Sequence, residues 1–300
     1  MPLNPGYSPE QAVAAIEHVT ACCYITSSYV TLPYKQPKST RSVIDQIVKE
    51  TAIPWIKVIV VDNHAEQDLV KTPCDAVDYV SLVASYYGRE LPIQADLDPQ
   101  DTVNLLFTSG TTSAPKAVCL THWNILNNAY IAGRLWNVTE EDILAATMPL
   151  YHSGGLVMVV LLAMPFGACI TIPSQSFNAL QTMRTLVRDR CTFFAGVPTM
   201  LQACVHLLDL PEFAGHDFTH IRTGLLGGSP IAPSLRRNLN EKMHLHDLSN
   251  VYGMTELSPI ITMALPSHPA DKKYSTVGST YVMRHPSFPT LGQHMLTLMI

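Results

Sequence analysis

Charge is scarce in this chain. Charged residues make up 14% of its 300 residues, which argues against disorder, because disordered chains are held open by high charge and low hydrophobicity. No basic stripe is present and the formal net charge is −5, so nucleic acid is not an expected partner. The seven cysteines, Cys22, Cys23, Cys74, Cys119, Cys169, Cys191 and Cys204, form no CxxC pair and no framework spacing. That excludes a cysteine zinc site and points to an intracellular, reduced protein, placed in the cytoplasm. Several of these thiols sit in apolar strands, where they are expected to fill space. The N-terminus, MPLNPGYSPEQ, has no basic segment followed by an apolar run, so it is no signal peptide. A transmembrane segment is missing as well. The uncharged segment 153–173 is broken by Pro165 and Gly167 after a short apolar run from Leu156 to Met164, too short to cross a bilayer as a helix. A buried helix followed by a strand, ACITIP, is expected there.

What is present is apolar. Hydrophobic residues make up 47% of the chain, enough for a sizeable core in one large domain or two ordinary ones. Strands and helices alternate. Ser8 is placed as an N-cap, with Pro9 in the first turn and Gln11 closing a capping box; Val13 and Ile16 share a face of the helix it opens. CCYIT reads as a buried strand. STRSVIDQIVKE sets apolar residues at 43, 44, 47 and 48, a helical stripe. KVIVVD is a strand ending in an acid, and a proline-containing linker, RELPIQADLDPQD, leads to the strand TVNLLFT. In the second half, helices HWNILNNAYIAGRLW, NALQTMRTLVRDR, TMLQACVHLLDL and APSLRRNLNEKM lead to strands DILAATMP, CTFFAGVP, IRTGLLGGS and DLSNVYG. Strands of consecutive apolar residues suit sheets covered on both faces. The expected fold is α/β, with largely parallel sheets flanked by helices. The last stretch, 281–300, loses the alternation.

The stretch NLLFTSGTTSAPKAV, 104–118, runs from a strand into hydroxyls, a glycine and a lysine. A Walker A loop needs a Gly-Lys-Ser/Thr ending whose hydroxyl binds magnesium. Here Pro115 has no N–H to give and Ala117 no ligand, so this is not a P-loop. Thr108, Ser109, Gly110, Thr111, Thr112, Ser113 and Lys116 still suit a polyphosphate better than a plain polar turn. LLGGSP holds Gly227, Gly228 and Ser229; taken alone it is a tight turn after a strand, and GGSPI lacks the last glycine of a nucleophile elbow. NVYGMTELSP holds Tyr252, Gly253, Thr255 and Glu256; taken alone it is a loop with a helix cap. PLYHSGGL holds His152, and a histidine beside a glycine pair is more often structural. His216 and His220 read as solvated surface histidines and not a metal pair. Arg184, Arg188 and Arg190 read as the wet face of a helix.

Taken together the motifs carry a resemblance. FTSGTTSAPKAV resembles the phosphate-binding signature of the adenylate-forming enzymes, which include acyl-CoA synthetases, firefly luciferase and peptide-synthetase adenylation domains. Two departures stand out: the family usually has glycine where this chain has Ser113 and Ala117, and both changes remove backbone freedom. LLGGSP resembles the family's adenine and acyl-pocket segment, NVYGMTELSP its aromatic-Gly-x-Thr-Glu motif, and PLYHSGGL the place of an active-site histidine. All stand in the family's order, each at a strand end. The resemblance runs from PLNPGYSPEQ to STVGST, and within the family FNALQTMRTLVRDRCTFFAGVPTML looks most like medium-chain fatty acyl-CoA synthetases.

This resemblance implies ATP-dependent activation of a carboxylic acid, a fatty acid by the subfamily likeness, to an acyl adenylate, then transfer to coenzyme A. It implies ATP bound by Thr108 to Ser113, Lys116, Gly227, Gly228, Ser229, Tyr252 and Gly253. Tyr252 would lie against adenine, Thr255 would touch the α-phosphate and Glu256 would bind Mg²⁺, with His152 in the active site. A small-molecule carboxylic acid is the implied partner. Residues 1–280 would form a partial large N-terminal domain, 281–300 an atypical tail, with the C-terminal domain absent. The family's ribose-binding Asp and adenylation Lys fall beyond the resemblance, and PLNPGYSPEQ is internal in the relatives, so the chain reads as truncated at both ends. Two readings stand: an acid–thiol ligase, or an inactive remnant that at most binds nucleotide.

Overall fold

The computed structural model describes residues 1–63, 76–90, 96–108, 116–265 and 267–280. These form two compact units, one of Pro2–Asp98 with Ser109–Ala117, the other of Pro99–Thr108 with the chain from Val118.

The first unit begins with α1 (Pro9–His18), β1 (Cys23–Ser27), β2 (Tyr29–Val30), β3 (Lys38–Ser39) and α2 (Arg41–Glu50). It continues with β4 (Lys57–Val61), β5 (Ala76–Asp78) and α3 (Tyr79–Tyr86). The capping box at α1 is present: the Gln11 N–H donates to Ser8 Oγ at 3.2 Å, and the Ser8 N–H donates to Gln11 Oε1 at 2.9 Å. Strands β1, β4 and β5 form a parallel sheet in the order β1-β4-β5. Val13 and Ile16 of α1 pack with Val43, Ile44 and Ile47 of α2 and Val58 and Val60 of β4. Val48, the fourth member of the expected stripe, is exposed. The expectation of a buried strand at CCYIT is corrected too. β1 is an edge strand of its sheet, and Ile25 at its centre is 61% exposed. Helix α3 has no counterpart among the expected elements. It starts where the Asp78 carboxylate accepts the Ser81 N–H, an N-cap at 2.7 Å.

The second unit opens with β6 (Thr102–Phe107) and β7 (Ala117–Thr121), which pair with each other, then α4 (His122–Leu135). β8 (Ile143–Ala145) comes next. A short helix, α5 (Ser153–Gly155), continues as a π-helical stretch (Leu156–Leu161) and a 3-10 turn (Met164–Phe166), leading to β9 (Cys169–Thr171). α6 (Ala179–Arg188), β10 (Phe193–Gly196), α7 (Pro198–Leu207), β11 (Thr223–Gly227), α8 (Pro233–Met243) and β12 (Leu248–Gly253) repeat the helix–strand alternation. β13 (Ile260–Met263), α9 (Ala270–Ser275) and β14 (Ser279–Thr280) close it. The seven-stranded sheet has the order β14-β13-β12-β11-β10-β8-β9. Strands β9, β8, β10, β11 and β12 are parallel, and β13 and β14 are joined to them by antiparallel pairing. Every residue of β10 and β11 is buried. That is the mark of strands covered on both faces, and it is why FFAG and TGLLG carry no alternation. Phe193 meets Trp136 edge-on at 5.2 Å, and the Trp136 indole N–H donates to Ser249 Oγ at 2.8 Å. Burying each such ring contributes about 2–3 kcal/mol.

The expected buried helix after Ser153 is there, wound as a π-helix, with Val157, Met158 and Val159 buried. Among the described residues no helix is long and apolar enough to cross a membrane. The cysteines divide. Cys191 and Cys204 are buried and fill space, and desolvation pushes each thiol up to about 12. Cys22, Cys23, Cys119 and Cys169 are exposed; Cys169 opens the edge strand β9. His216 is exposed as expected, but His220 is half-buried and bonds the Leu186 carbonyl through Nε2 at 3.0 Å. Arg184 and Arg188 lie on the wet face of α6, paired with Glu212 and Asp189.

Candidate functional site

Parallel strands send their carboxyl ends to one edge of a sheet, and ligands of open α/β folds bind outside that edge. In the second unit the edge is built by the segments leaving β8, β10, β11 and β12. β11 ends at Gly227, opposite Val251 of β12. A side chain at Gly227 would put its Cβ 2.7 Å from Val251 Cγ2 and 3.0 Å from the Val251 carbonyl oxygen, so only glycine lets the two strand ends close. Gly228 then turns the chain in the left-handed region, φ +85°, leaving Ser229 exposed. Beside it, Tyr252 near the end of β12 is 53% exposed. A large ring held on a strand and left open to solvent is a stacking surface.

β12 turns back into β13 through a tight hairpin. The Met254 N–H donates to the Pro259 carbonyl at 2.9 Å, and a Cβ at Gly253 would fall 1.9 Å from that same oxygen. Thr255 and Glu256 sit in the 3-10 turn Thr255–Leu257 at the tip. Glu256 is exposed. Ser258 comes after them in the left-handed region at φ +70°. His152 lies on the connection that leaves β8. It caps α5: its Nδ1 accepts the Gly154 N–H at 3.0 Å. That bond fixes the neutral ring with its proton on Nε2. The ring reaches solvent, yet the atoms crowded around it desolvate it and hold its pKa below the ordinary imidazole value. Gly155 lets the turn close, since a Cβ there would meet the Pro149 carbonyl oxygen at 2.3 Å.

The structure therefore brings Gly227, Gly228, Ser229, Tyr252, Gly253, Thr255, Glu256 and His152 to one edge of one sheet. Of the hydroxyl-rich site residues only Thr108 and Lys116 are described. Thr108 comes directly after β6, half-buried, and Lys116 precedes β7, exposed. Ser109, Gly110, Thr111, Thr112 and Ser113 lie outside the described residues. One residue that no sequence motif marks joins the site: Asn128 of α4, buried, bonds the hairpin after Glu256. Its only sequence signal is an amide among the apolar residues of a helix.

The AMP-binding enzyme family model matches residues 1–286. The chain belongs to the AMP-binding enzymes. Among curated relatives, it is 37% identical over 192 residues to an acyl-CoA ligase, sidI, of Aspergillus fumigatus, covering 64% of this chain and 32% of the relative. It is 38% identical over 189 residues to the mitochondrial medium-chain acyl-CoA ligase ACSF2 of Mus musculus, covering 62% of this chain and 30% of the relative. The chain spans about a third of the length of these relatives. Among solved structures, the anthranilate CoA ligase AuaEII in complex with anthranoyl-AMP matches with a TM-score of 0.73 at 18% identity, over 93% of this chain and 49% of that one. The benzoate CoA ligase of Burkholderia xenovorans LB400 matches with a TM-score of 0.71 at 19% identity, over 93% and 50%. These likenesses show that the α/β fold is that of the adenylate-forming ligases.

For an AMP-binding chain the edge has suitable chemistry. It offers an aromatic face, an exposed glycine at Gly228, and hydroxyls at Ser229 and Thr255. Among the described residues no group of three or more His, Cys, Asp or Glu could hold a metal by itself. Mg²⁺ does not require one, since it is bound through one or two carboxylates plus substrate phosphates. Glu256, exposed at the hairpin tip, is a hard oxygen donor of that kind, so the residues present fit the ion.

Proposed function

We propose that this chain carries the nucleotide site of an acid–thiol ligase that activates a medium-chain fatty acid with ATP and passes the acyl group to coenzyme A. The observation that carries the reading is the placement of His152, Gly227 to Ser229 and Tyr252 to Glu256 on segments at the carboxyl ends of the parallel strands of one sheet, in a member of the AMP-binding enzymes. The choice of acid and acceptor rests on the relatives, several of which are acyl-CoA ligases, ACSF2 a medium-chain one.

In this reading a carboxylate oxygen of the acid attacks the α-phosphorus of ATP. The bond to pyrophosphate breaks, and an acyl adenylate forms. Two anions must meet, so the site must offset their repulsion. Tyr252 stacks on adenine, while Gly227 and Gly228 let the backbone approach. Thr255 donates its hydroxyl to the α-phosphate. Thr108, Ser109, Thr111, Thr112 and Ser113 donate to the phosphate tail, Gly110 gives the backbone room, and Lys116 adds positive charge towards the leaving pyrophosphate. Glu256 would hold Mg²⁺, which supplies charge neutralisation at the phosphoryl oxygens. His152, neutral at pH 7 with Nε2–H free to donate, orients the acid. The coenzyme A thiolate then attacks the acyl carbon, and AMP leaves. An intracellular, cytoplasmic setting goes with this proposal. ACSF2 is named as mitochondrial, so cell fractionation decides between the two compartments.

The test is pyrophosphate release with a panel of fatty and aryl acids, with and without coenzyme A, beside calorimetric titration of ATP. Acid-dependent release followed by acyl-CoA formation is the expected result for the ligase. Nucleotide binding without release reduces the chain to the second reading, a remnant that binds and does not turn over. Glu256→Gln should weaken Mg-ATP by about 10-fold and leave metal-free ATP unchanged. Equal losses with and without magnesium would take the metal role away from Glu256.

A further inference from the structure

Asn128 sits on α4, the helix that leaves β7, and is 4% exposed. Its Nδ2 donates to the Ile260 carbonyl at 2.8 Å and to the Leu257 carbonyl at 3.3 Å. Its Oδ1 accepts the Ile260 N–H at 3.3 Å. These bonds grip both sides of one short segment: Leu257 ends the turn that carries Thr255 and Glu256, and Ile260 begins β13. Between them Ser258 is buried and held at φ +70°. A non-glycine residue adopts that conformation only where its surroundings over-determine it. The sequence does not require a polar residue at 128 for the helix itself. α4 already has its cap at Thr121, and its other buried positions are Ile125, Ala129, Ile131, Ala132 and Gly133. A buried amide costs stability unless its bonds are made, and here they are made to the backbone of another element.

We propose that Asn128 is a positioning residue for the nucleotide site. It locks the β12–β13 hairpin so that Thr255 and Glu256 are presented in a fixed geometry before ligand binds. The inference rests on the proposed ATP site. It adds that this site is set from behind by a helix, and that the helix is continuous in sequence with the exit from the hydroxyl-rich stretch. Partners bonded directly to a metal ligand change affinity by about 10–100-fold when removed; Asn128 acts through the backbone beside Glu256, so the lower end is expected.

The experiment compares the 300-residue chain with Asn128→Ala, Asn128→Asp and Ser249→Ala. Asn128→Asp keeps the shape and the acceptor for the Ile260 N–H but turns an oxygen towards two carbonyls. It separates the hydrogen bonds from the packing if Asn128→Ala folds poorly. Ser249→Ala removes a different buried bond, to Trp136, at the start of β12. Two readouts are taken: amide hydrogen exchange, and ATP affinity with and without Mg²⁺. Both Asn128 variants should speed exchange at Met254–Ser258 while β10 and β11 stay protected, and should weaken Mg-ATP by about 10-fold with little change for adenosine. Ser249→Ala should lower Tm and leave Mg-ATP affinity alone. A general rise in exchange, or local loosening with unchanged Mg-ATP affinity, overturns the proposal by showing Asn128 to be structural only. Failure of the unmodified chain to bind Mg-ATP overturns the nucleotide site itself, and with it the role given to Asn128. That failure appears in the unmodified chain and is distinct from failure in the variants.

Discussion

At the scale of single residues, the site edge depends on positions where almost nothing can be added. A methyl group at Gly253 would collide with a backbone oxygen at 1.9 Å, and a backbone atom cannot rotate away as a side chain can. Gly253→Ala should therefore cost about 3 kcal/mol, the upper part of the overpacking range, read from the urea midpoint; a loss below about 1 kcal/mol would mean the hairpin is freer than its geometry implies. His152 is the opposite case, a side chain that does local work through one nitrogen. Its pKa is held down by desolvation, so the unfolded chain takes up a proton first as pH falls. The stability it contributes is present above the unfolded value, near pH 6.5, and is lost as pH falls through the lower folded value. His152→Ala should cost about 1 kcal/mol at pH 8 through the lost cap. The gap to the unmodified chain should narrow by pH 5, in denaturation measured at both pH values. A gap independent of pH would show that the ring carries no such linkage.

At the scale of elements, the amino ends of three strands, opposite the candidate site, are tied together. Asp142 stands just before β8, Thr192 just before β10 and Arg222 just before β11. The Arg222 guanidinium donates to both Asp142 oxygens, at 2.8 and 2.5 Å, and the Thr192 hydroxyl donates at 2.6 Å. Three adjacent parallel strands are thus latched at one end. Burial pushes the Asp142 carboxyl up, but the bonds from Arg222, Thr192 and the Thr139 N–H outweigh it and hold the pKa below the ordinary value. Asp142→Asn should cost about 2 kcal/mol, less than the ~3–5 of a fully buried pair because Arg222 is 38% exposed. The cost should be present at neutral pH and fade as pH falls below about 4; a constant cost would assign it to packing. None of this latch was legible in the sequence, because its members are 80 residues apart from Asp142 to Arg222 and only strand register places them together. The main alternating strands and helices were legible, since consecutive apolar runs and 3.6-residue stripes are local, whereas α3 and the short strands β2, β3 and β14 were not. Gly227, Gly228 and Tyr252 to Glu256 were legible as motifs, whereas Asn128 was not, because its partners are backbone groups. β1 reads as a core strand because CCYIT is apolar enough for one, and only the sheet order shows it to be an edge.

At the scale of the whole molecule, apolar surface is not confined to the two cores. Helix α3 and the residue after it carry Tyr79, Val80, Val83, Tyr86 and Tyr87, spaced as one helical face, and that face looks outward: Val80 is 67% and Tyr87 90% exposed. Within the helix region the Arg89 guanidinium lies over the Tyr86 ring at 4.9 Å, and Asp78 supplies the cap, but among the described residues nothing covers Val80 or Tyr87. A contiguous exposed patch of this kind drives association of the chain with itself or with any apolar surface offered. It does little for the stability of the folded chain, because exposed side chains gain no burial, and surface changes usually stay within about 0.5 kcal/mol. Solubility and stability should therefore separate here. The double substitution Val80→Lys with Tyr87→Lys should lower light scattering and the binding of an apolar fluorescent dye, with Tm nearly unchanged. It leaves the Asp78 cap and the Arg89–Tyr86 contact in place, so α3 keeps what holds it as a helix. A fall in Tm of several degrees would show that the face is packed in solution. Unchanged scattering would move the source of association to the other exposed apolar residues, Ile25 and Trp55, each 61% exposed.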